Sequence, residues 1–251
     1  AEGGEAAIDN RKCISCGACM QACPFAAISD KAQVVPVIAD MRAGKQIVAM
    51  LAPALEGQFG ATVTMGKMKK AVEALGFLKV YEVGLGADAV AMAEAQELLE
   101  HLDAGLKMTT SCCPAFVNMI RKHFPRLLPN VSTTVSPMVA LSRWAREKYP
   151  QAKIVFVGPC VAKKTEEVEG GPDYVLNTEE LVAMLEAKGI DPECMEEEQQ
   201  DASIYGKGFA SSGGVTGAVM QAIQEMEGET PSVSAQRCNG AAECKKALTL
   251  L

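Results

Sequence analysis

A chain of 251 residues, 49% of them hydrophobic, is long enough for one sizeable core and a small appended unit. Its formal net charge of -7, from 31 acidic against 24 basic side chains, excludes the broad basic surface that nucleic acid or an anionic membrane would require. The longest apolar stretch, around IVAMLAPAL, falls short of the roughly 18 to 20 residues of a spanning helix, and no basic leader with an apolar run opens the sequence. A cytoplasmic protein with no membrane and no nucleic-acid partner is therefore expected. The 10 cysteines cluster at metal-ligand spacings in a chain too large to need disulfide staples, so a reducing compartment fits them.

The first element is the run CISCGACMQACP, in which Cys13, Cys16, Cys19 and Cys23 stand at C-x2-C-x2-C-x3-C-P spacing. That spacing belongs to bacterial iron-sulfur ligand sets, whereas zinc sites usually split their ligands into two separated pairs. Residues 1 to 35 read as a partial ferredoxin-like 4Fe-4S segment. In two-cluster ferredoxins the fourth cysteine of each run serves the other cluster. Either Cys23 completes its own cluster, or the sequence begins partway through a longer ferredoxin domain.

Residues 36 to 251 alternate short apolar runs with amphipathic stretches, the pattern of a mixed α/β domain of strands and helices. QIVAMLAPA reads as a buried strand, TMGKMKKAVEALGF as a helix, KVYEV as a second strand and ADAVAMAEAQELLEHLDAG as a long helix ending at a glycine. TTSCCPAFVNMIRKHFP is a loop feeding a helix. In SPMVALSRWAREKYP the Ser136-Pro137 pair suits a helix cap and first position. AKIVFVGPC is a buried strand ending in a cysteine, then come DYVLN and the helix TEELVAMLEAKG with Thr178 as its expected cap. EEEQQD reads as a solvated connection. A helix after FASSGG and another in NGAAECKKALTLL close the sequence.

Cys112 and Cys113 in TSCCPAF, and Cys160 in GPCVAKKTE, fall where strands give way to loops, the place where α/β domains hold ligands. Adjacent cysteines project differently, so one can bind metal while the other faces a cavity. Lys163 offers an ammonium to an anionic group. Glu94, Glu97 and His101 share one helical stripe; alone, they would read as a solvated face.

TSCCP, GPCxxKK and FASSGGV, in this order after a ferredoxin-type motif, resemble the catalytic domain of the FeFe hydrogenases, from about residue 8 to the end. The resemblance implies reversible reduction of protons to hydrogen at an H-cluster, a 4Fe-4S cube joined through a cysteine to a two-iron centre with CO, cyanide and a bridging dithiolate amine. It implies that Cys113 and Cys160 are cube ligands, that Cys112 passes protons and that Lys163 hydrogen-bonds a cyanide. Pro53 and Ala54 of the LAPALEG turn, Gly158, Phe209 and the Gly213-Gly214 turn would line the pocket. The family's proton relay maps onto Glu94, Glu97 and Ser132. A ferredoxin or similar electron carrier and dedicated maturation proteins would be partners.

Departures mark a divergent subgroup. Ala54 stands where a serine is often found, Gly158 where many members have a methionine, and His101 where an arginine ends the path. The family's final Cys-x3-Cys motif is expected beyond NGAAECKKALTLL, so the sequence would be trimmed at both ends or be a fragment. Cys238 and Cys244 do not match that motif and read as structural, and Cys194 as incidental. A hydrogen or redox sensor, and a catalytically silent iron-sulfur scaffold of the same fold, remain as alternative functions.

Overall fold

Four short apolar runs pair in parallel with the order β2-β1-β3-β4: β1 (Ile47–Leu51), β2 (Lys79–Glu82), β3 (Lys153–Val157) and β4 (Tyr174–Leu176). The structure is a computed structural model that describes residues 7–166 and 168–251. All five residues of β1 are buried, as a central strand covered on both faces requires. Its register runs from Ile47 opposite Lys153 to Leu51 opposite Val157, and from Val48 opposite Lys79 to Leu51 opposite Glu82. Because every strand points the same way, all four C-terminal ends meet at one edge. There the chain leaves β1 and β3 into turns and β2 into a helix.

One sheet face packs against α2 (Val34–Arg42), α3 (Met65–Ala74) and α7 (Thr178–Lys188), with Val37, Met68, Val72 and Leu181 meeting Ala49, Leu51 and Val155. The other face lies on α6 (Pro137–Lys148), where Met138, Leu141 and Ala145 cover Val48, Met50 and Phe156. Beyond α6 runs α4 (Gly84–Asp103), whose Ala95 packs on Val219, Ala222 and Ile223 of α9 (Gly214–Glu227). A satellite cluster joins α5 (Pro114–His123) to α10 (Gly240–Leu250) through Met119, Ile120 and Leu248, and takes in Ile14 of the cysteine loop. Two single-turn helices complete the set, α1 (Ala18–Ala22) and α8 (Ile204–Gly208). Among the described residues no helix is long and apolar enough to cross a membrane.

The mixed α/β architecture is the one expected, and local differences have local causes. Helix α2 is not among the elements expected from the sequence; its Pro36 lies in the first turn, where a backbone N–H has no helical partner to lose. The cap of α7 is Asn177 rather than Thr178: Asn177 accepts the N–H of Glu180 at 2.8 Å while Glu180 accepts the N–H of Asn177 at 2.9 Å. The EEEQQD run is the largely exposed connection expected, but it is also tied down by ion pairs. Glu198 meets Lys79 at 3.0 Å and Lys70 at 3.2 Å, and Asp201 meets the buried Lys69 at 2.8 Å, so the acidic run straps the basic face of α3.

Helix α4 begins at Gly84, earlier than its sequence pattern proposes, because glycine permits a close crossing. A Cβ at Gly86 would lie 2.3 Å from the carbonyl oxygen of Pro137 on α6. Gly86→Ala should therefore force the two helices apart and destabilise the chain by about 1 to 3 kcal/mol. Urea unfolding measures this, and an unchanged midpoint would show that the crossing is not tight.

Candidate functional site

The N-terminal loop coils through three left-handed residues, Ser15 at φ 64°, Gly17 at φ 77° and Ala26 at φ 49°. This winding turns backbone N–H groups toward sulfur. Ser15 N–H lies 3.3 Å from Cys13 Sγ, and Ala27 N–H 3.4 Å from Cys23 Sγ. The N–H of Ala27, then that of Phe25, holds the Cys23 thiol below its ordinary pKa. Cys13, Cys16 and Cys19 border a cavity of about 1190 Å³ that Cys23 does not line. Among the described residues no three Cys, His, Asp or Glu side chains converge on a point that one ion would fill. A loop of thiols with N–H donors aimed at sulfur fits an anionic 4Fe-4S cluster, whose stability and potential depend on such hydrogen bonds. The loop is gripped from α5, where Lys122 donates to the carbonyls of Asn10 at 2.9 Å and Cys13 at 2.6 Å, and His123 Nε2 meets that of Lys12 at 2.9 Å.

The second constellation sits at the C-terminal edge of the sheet. Cys113 caps α5 ahead of Pro114, and Cys160 caps the 3-10 turn Val161–Thr165 that follows β3. Burial pushes the Cys113 thiol up, the N–H groups of Phe116 and Ala115 oppose this, and the nearby Cys160 adds to the rise. Cys112 is pushed up to about 11, mainly by burial, with the Thr110 hydroxyl at 3.2 Å acting the other way. It is therefore a protonated thiol at neutral pH, suited to giving a proton, while Cys160 lies near enough to Cys113 to act on its thiol. Lys163 Nζ donates to the Cys112 carbonyl at 3.1 Å and to Glu166 at 2.6 Å. Two sulfur donors, a protonated thiol and an ammonium are a donor set that fits an anionic iron-sulfur centre.

Ser132 is held beside this loop by a bridge between Thr109 and Val131, in which Ser132 N–H meets the Thr109 carbonyl at 2.8 Å. Its hydroxyl donates to Glu97 at 2.5 Å. Glu97 also accepts the Thr133 N–H at 2.8 Å, the Thr133 hydroxyl at 3.0 Å and the Thr134 hydroxyl at 3.2 Å. Burial pushes Glu97 up, but these donors outweigh it and its pKa falls below the ordinary carboxylate value. Glu94 is fully buried. Burial pushes its carboxyl up against the Ser111 N–H at 3.2 Å and the hydroxyls of Ser132 and Thr110, and its Oε2 has no hydrogen-bond partner of normal geometry. Two carboxyls shifted in opposite directions on neighbouring turns of α4 are what a proton relay needs. His101 lies outside this chain of contacts, because its Nδ1 meets the backbone carbonyl of Glu97 at 2.8 Å.

Pro53 and Ala54 form a 3-10 turn directly after β1, beside Gly158, whose N–H meets the Leu176 carbonyl at 3.0 Å. Phe209 ends α8, and Gly213, at φ 81°, caps α9. A Cβ on Gly214 would lie 1.7 Å from the Gly208 carbonyl oxygen, so only glycine closes that corner. The corner packs along α4, whereas Pro53, Ala54, Gly158 and Cys160 gather at the sheet edge. Thr110, Thr133, Thr134 and Glu166 were not singled out in the sequence. The only signal was their hydroxyl or carboxyl beside TSCC, Ser132 and the paired lysines. Cys244 packs against α5, in keeping with a structural thiol.

Residues 45–250 match the family described as iron only hydrogenase large subunit, C-terminal domain, and residues 6–29 match a 4Fe-4S binding domain. The periplasmic Fe hydrogenase large subunit of Nitratidesulfovibrio vulgaris is 34% identical over 86% of this chain and 66% of its own length. The NADP-reducing hydrogenase subunit HndD of Solidesulfovibrio fructosivorans is 32% identical over 84% of this chain and 42% of its own. Iron hydrogenase 1 of Clostridium pasteurianum is 31% identical over 79% and 39%. This chain thus spans from about two fifths to about two thirds of the curated relatives it matches. The apo FeFe hydrogenase HydA1 of Chlamydomonas reinhardtii superposes with a TM-score of 0.65 at 27% identity, over 84% of this chain and 63% of the other. A structure reporting oxygen inactivation of an FeFe hydrogenase through its H cluster gives 0.65 at 26% identity, over 81% and 60%. With the whole sheet, both cysteine turns and α4 inside the matched region, the chain belongs to the iron-only hydrogenase family, whose H-cluster and 4Fe-4S cofactors suit the two thiol sites.

Proposed function

We propose that this chain is the hydrogen-activating part of a hydrogenase that interconverts protons and electrons with molecular hydrogen. The observation that carries the reading is the run of proton-bearing groups from the partly buried Glu97 through the buried Ser132 and Glu94 to Cys112. Cys113 and Cys160 would hold the active-site cube, with Lys163 supplying an ammonium to its anionic ligands. Cys13, Cys16, Cys19 and Cys23 would hold the accessory 4Fe-4S chemistry. When bound, the H-cluster supplies the redox chemistry of hydrogen. The protein's own part is to hold it, keep water out and move protons.

A proton entering at Glu97 passes to the Ser132 hydroxyl as that hydroxyl gives up its own on the far side. Glu94, whose burial favours the protonated form, receives it. The Thr110 hydroxyl, 3.2 Å from Cys112 Sγ, bridges the last gap. Pro53, Ala54, Gly158, Phe209, Gly213 and Gly214 shape the walls. Residues 1 to 35 would form the electron-accepting unit and 36 to 251 the catalytic one. Cys16 and Cys19 are exposed, which suits electron uptake from a ferredoxin or similar small carrier; one relative is named an NADP-reducing subunit, so the carrier varies within the family. Maturation proteins would install the two-iron centre. We place the protein in the cytoplasm on its cysteine usage, although one relative is named periplasmic; cell fractionation decides between them.

The decisive experiment is an infrared spectrum of the protein after anaerobic reconstitution with cubes and loading with a synthetic two-iron precursor. Sharp bands where iron-bound CO and cyanide absorb are expected. Their absence with cubes present would leave an electron-transfer or scaffold protein. Cys112→Ser should lower hydrogen turnover by about a hundredfold or more while iron content stays constant; parallel loss of iron and activity would make Cys112 a ligand instead.

The raised pKa of Glu94 also makes stability depend on pH. The folded state binds this proton more tightly than the unfolded one, so its contribution is present below the ordinary carboxylate pKa of 4.5 and is lost as pH rises through the higher folded value. Glu94→Gln should flatten that part of the stability profile, followed by urea unfolding of the metal-free chain. A profile identical to that of the parent would show that Glu94 is not held protonated.

A further inference from the structure

The neighbouring lysines of GPCVAKKTE leave their 3-10 turn in opposite directions. Lys163 faces the Cys112 loop. The Lys164 side chain is only 7% exposed, and its ammonium lies 2.6 Å from Asp30 Oδ2, 2.6 Å from Glu180 Oε2 and 3.1 Å from the Lys31 carbonyl. Asp30 and Lys31 belong to the stretch that leaves the N-terminal cysteine loop, while Glu180 lies in the first turn of α7. Nothing in the proton route or the ligand sets uses this triad.

The triad is the centre of a wider knot. Glu180 Oε1 accepts the backbone N–H groups of Gln33 and Val34, the latter at 2.9 Å, and Oε2 accepts that of Asn177 at 2.9 Å. Asn177 Nδ2 reaches back to Asp30 at 3.3 Å, and Gln33 Oε1 accepts the Val175 N–H at 2.6 Å. One ammonium between two carboxylates leaves an excess negative charge out of water, and the N–H donors to Glu180 compensate for it. Such an arrangement adds little net stability against an apolar alternative but fixes its members in one geometry. On the other side of the same turn, a Cβ on Gly17 would lie 2.8 Å from Val161 Cγ2, so the cysteine loop is seated directly on it. The segment from Cys160 to Thr165 is thus a shared wall. Cys160 and Lys163 serve the sheet-edge site, while Val161 and Lys164 line the cavity of Cys13, Cys16 and Cys19.

We infer that Lys164, with Asp30 and Glu180, is a positioning residue that clamps the N-terminal cluster loop onto the turn bearing Cys160 and sets the electrostatic environment of that cluster. Electron passage between two centres falls steeply with their separation, so a clamp on the intervening wall governs how well the N-terminal site feeds the other. The inference rests on the reading of Cys13, Cys16 and Cys19 as iron-sulfur ligands.

The test compares the parent chain, Asp30→Asn and Lys164→Met after reconstitution with iron and sulfide. Hydrogen-deuterium exchange over residues 8–34 should rise by about tenfold or more in both variants while β1 and β3 keep their protection. The reduction potential of the N-terminal cluster should move in opposite directions, falling where the cation is removed and rising where the carboxylate is, because cluster potentials follow nearby charge. A merely structural role would move both the same way. Asp30→Asn leaves the Lys164–Glu180 pair in place, so it remains informative if Lys164→Met does not fold. Unchanged exchange over 8–34, equal loosening of β1 and β3, or potentials shifting in the same direction would each overturn the inference. Neither readout involves hydrogen: the expected results in a protein that turns over no hydrogen would sink the hydrogenase reading and leave the clamp standing.

Discussion

The parallel pairing of β1 with β3 is the constraint on which the rest depends. Its register sets Leu51 beside Val157, so the Pro53–Leu55 turn and the Gly158-Pro159-Cys160 turn leave the sheet side by side. Parallel strands cannot be joined by hairpins, and each crossover therefore carries a helix back over a face. The crossover between β2 and β3 holds α4, the TSCC loop, α5 and α6, and with them Glu94, Glu97, Cys112, Cys113 and Ser132, while Cys160 and Lys163 follow β3 and the N-terminal cysteine loop precedes β1. Strand ends that gather at an edge where the order reverses are where such folds place their ligands.

Burial does most of the electrostatic work at that edge. It lifts Cys112 to about 11, raises Cys113 and raises Glu94, in each case against hydrogen bonds that pull the other way. Glu97, on the next turn, is only partly buried and collects enough donors to reverse the sign. The difference between the two glutamates is thus one of depth as well as of partners: Glu94 is fully buried, while Glu97 is partly exposed and draws its donors from residues 132 to 134. The N-terminus of α5 adds a favourable field for anionic sulfur, since Cys113 occupies its cap and the first N–H groups have no helical acceptor.

The parts legible in the sequence were those written as spacing. The cysteine run and the TSCCP and GPCVAKK turns follow from spacing, three of the four strands from local periodicity, and the stripe of Glu94 and Glu97 from helical geometry. Partners that arrive from far along the chain were not legible. Nothing local to EEEQQD says that Lys69, Lys70 and Lys79 will face it, and nothing local to Glu180 says that it will hold the backbone at Gln33 and Val34. Thr178 and Asn177 both have side chains fit to cap α7, and the choice falls to Asn177 because only its position lets Glu180 reciprocate.

The departures from the family pattern bear on how far the active-site walls can vary. At Gly158 an added Cβ would lie 2.7 Å from Ala52 Cβ and 2.9 Å from the Phe156 ring. A larger side chain there does not leave a hole when removed; Phe156, buried at 3% exposure, has closed the space. Restoring bulk at 158 therefore requires moving a core aromatic that also packs against Met138 on α6. Because α6 fixes α4 through the Gly86 crossing, a change aimed at the sheet edge would reach the helix that carries Glu94 and Glu97. Gly158 at the sheet edge and the proposed relay on α4 are thus mechanically coupled, and substitutions in either have to be read for their effect on the other.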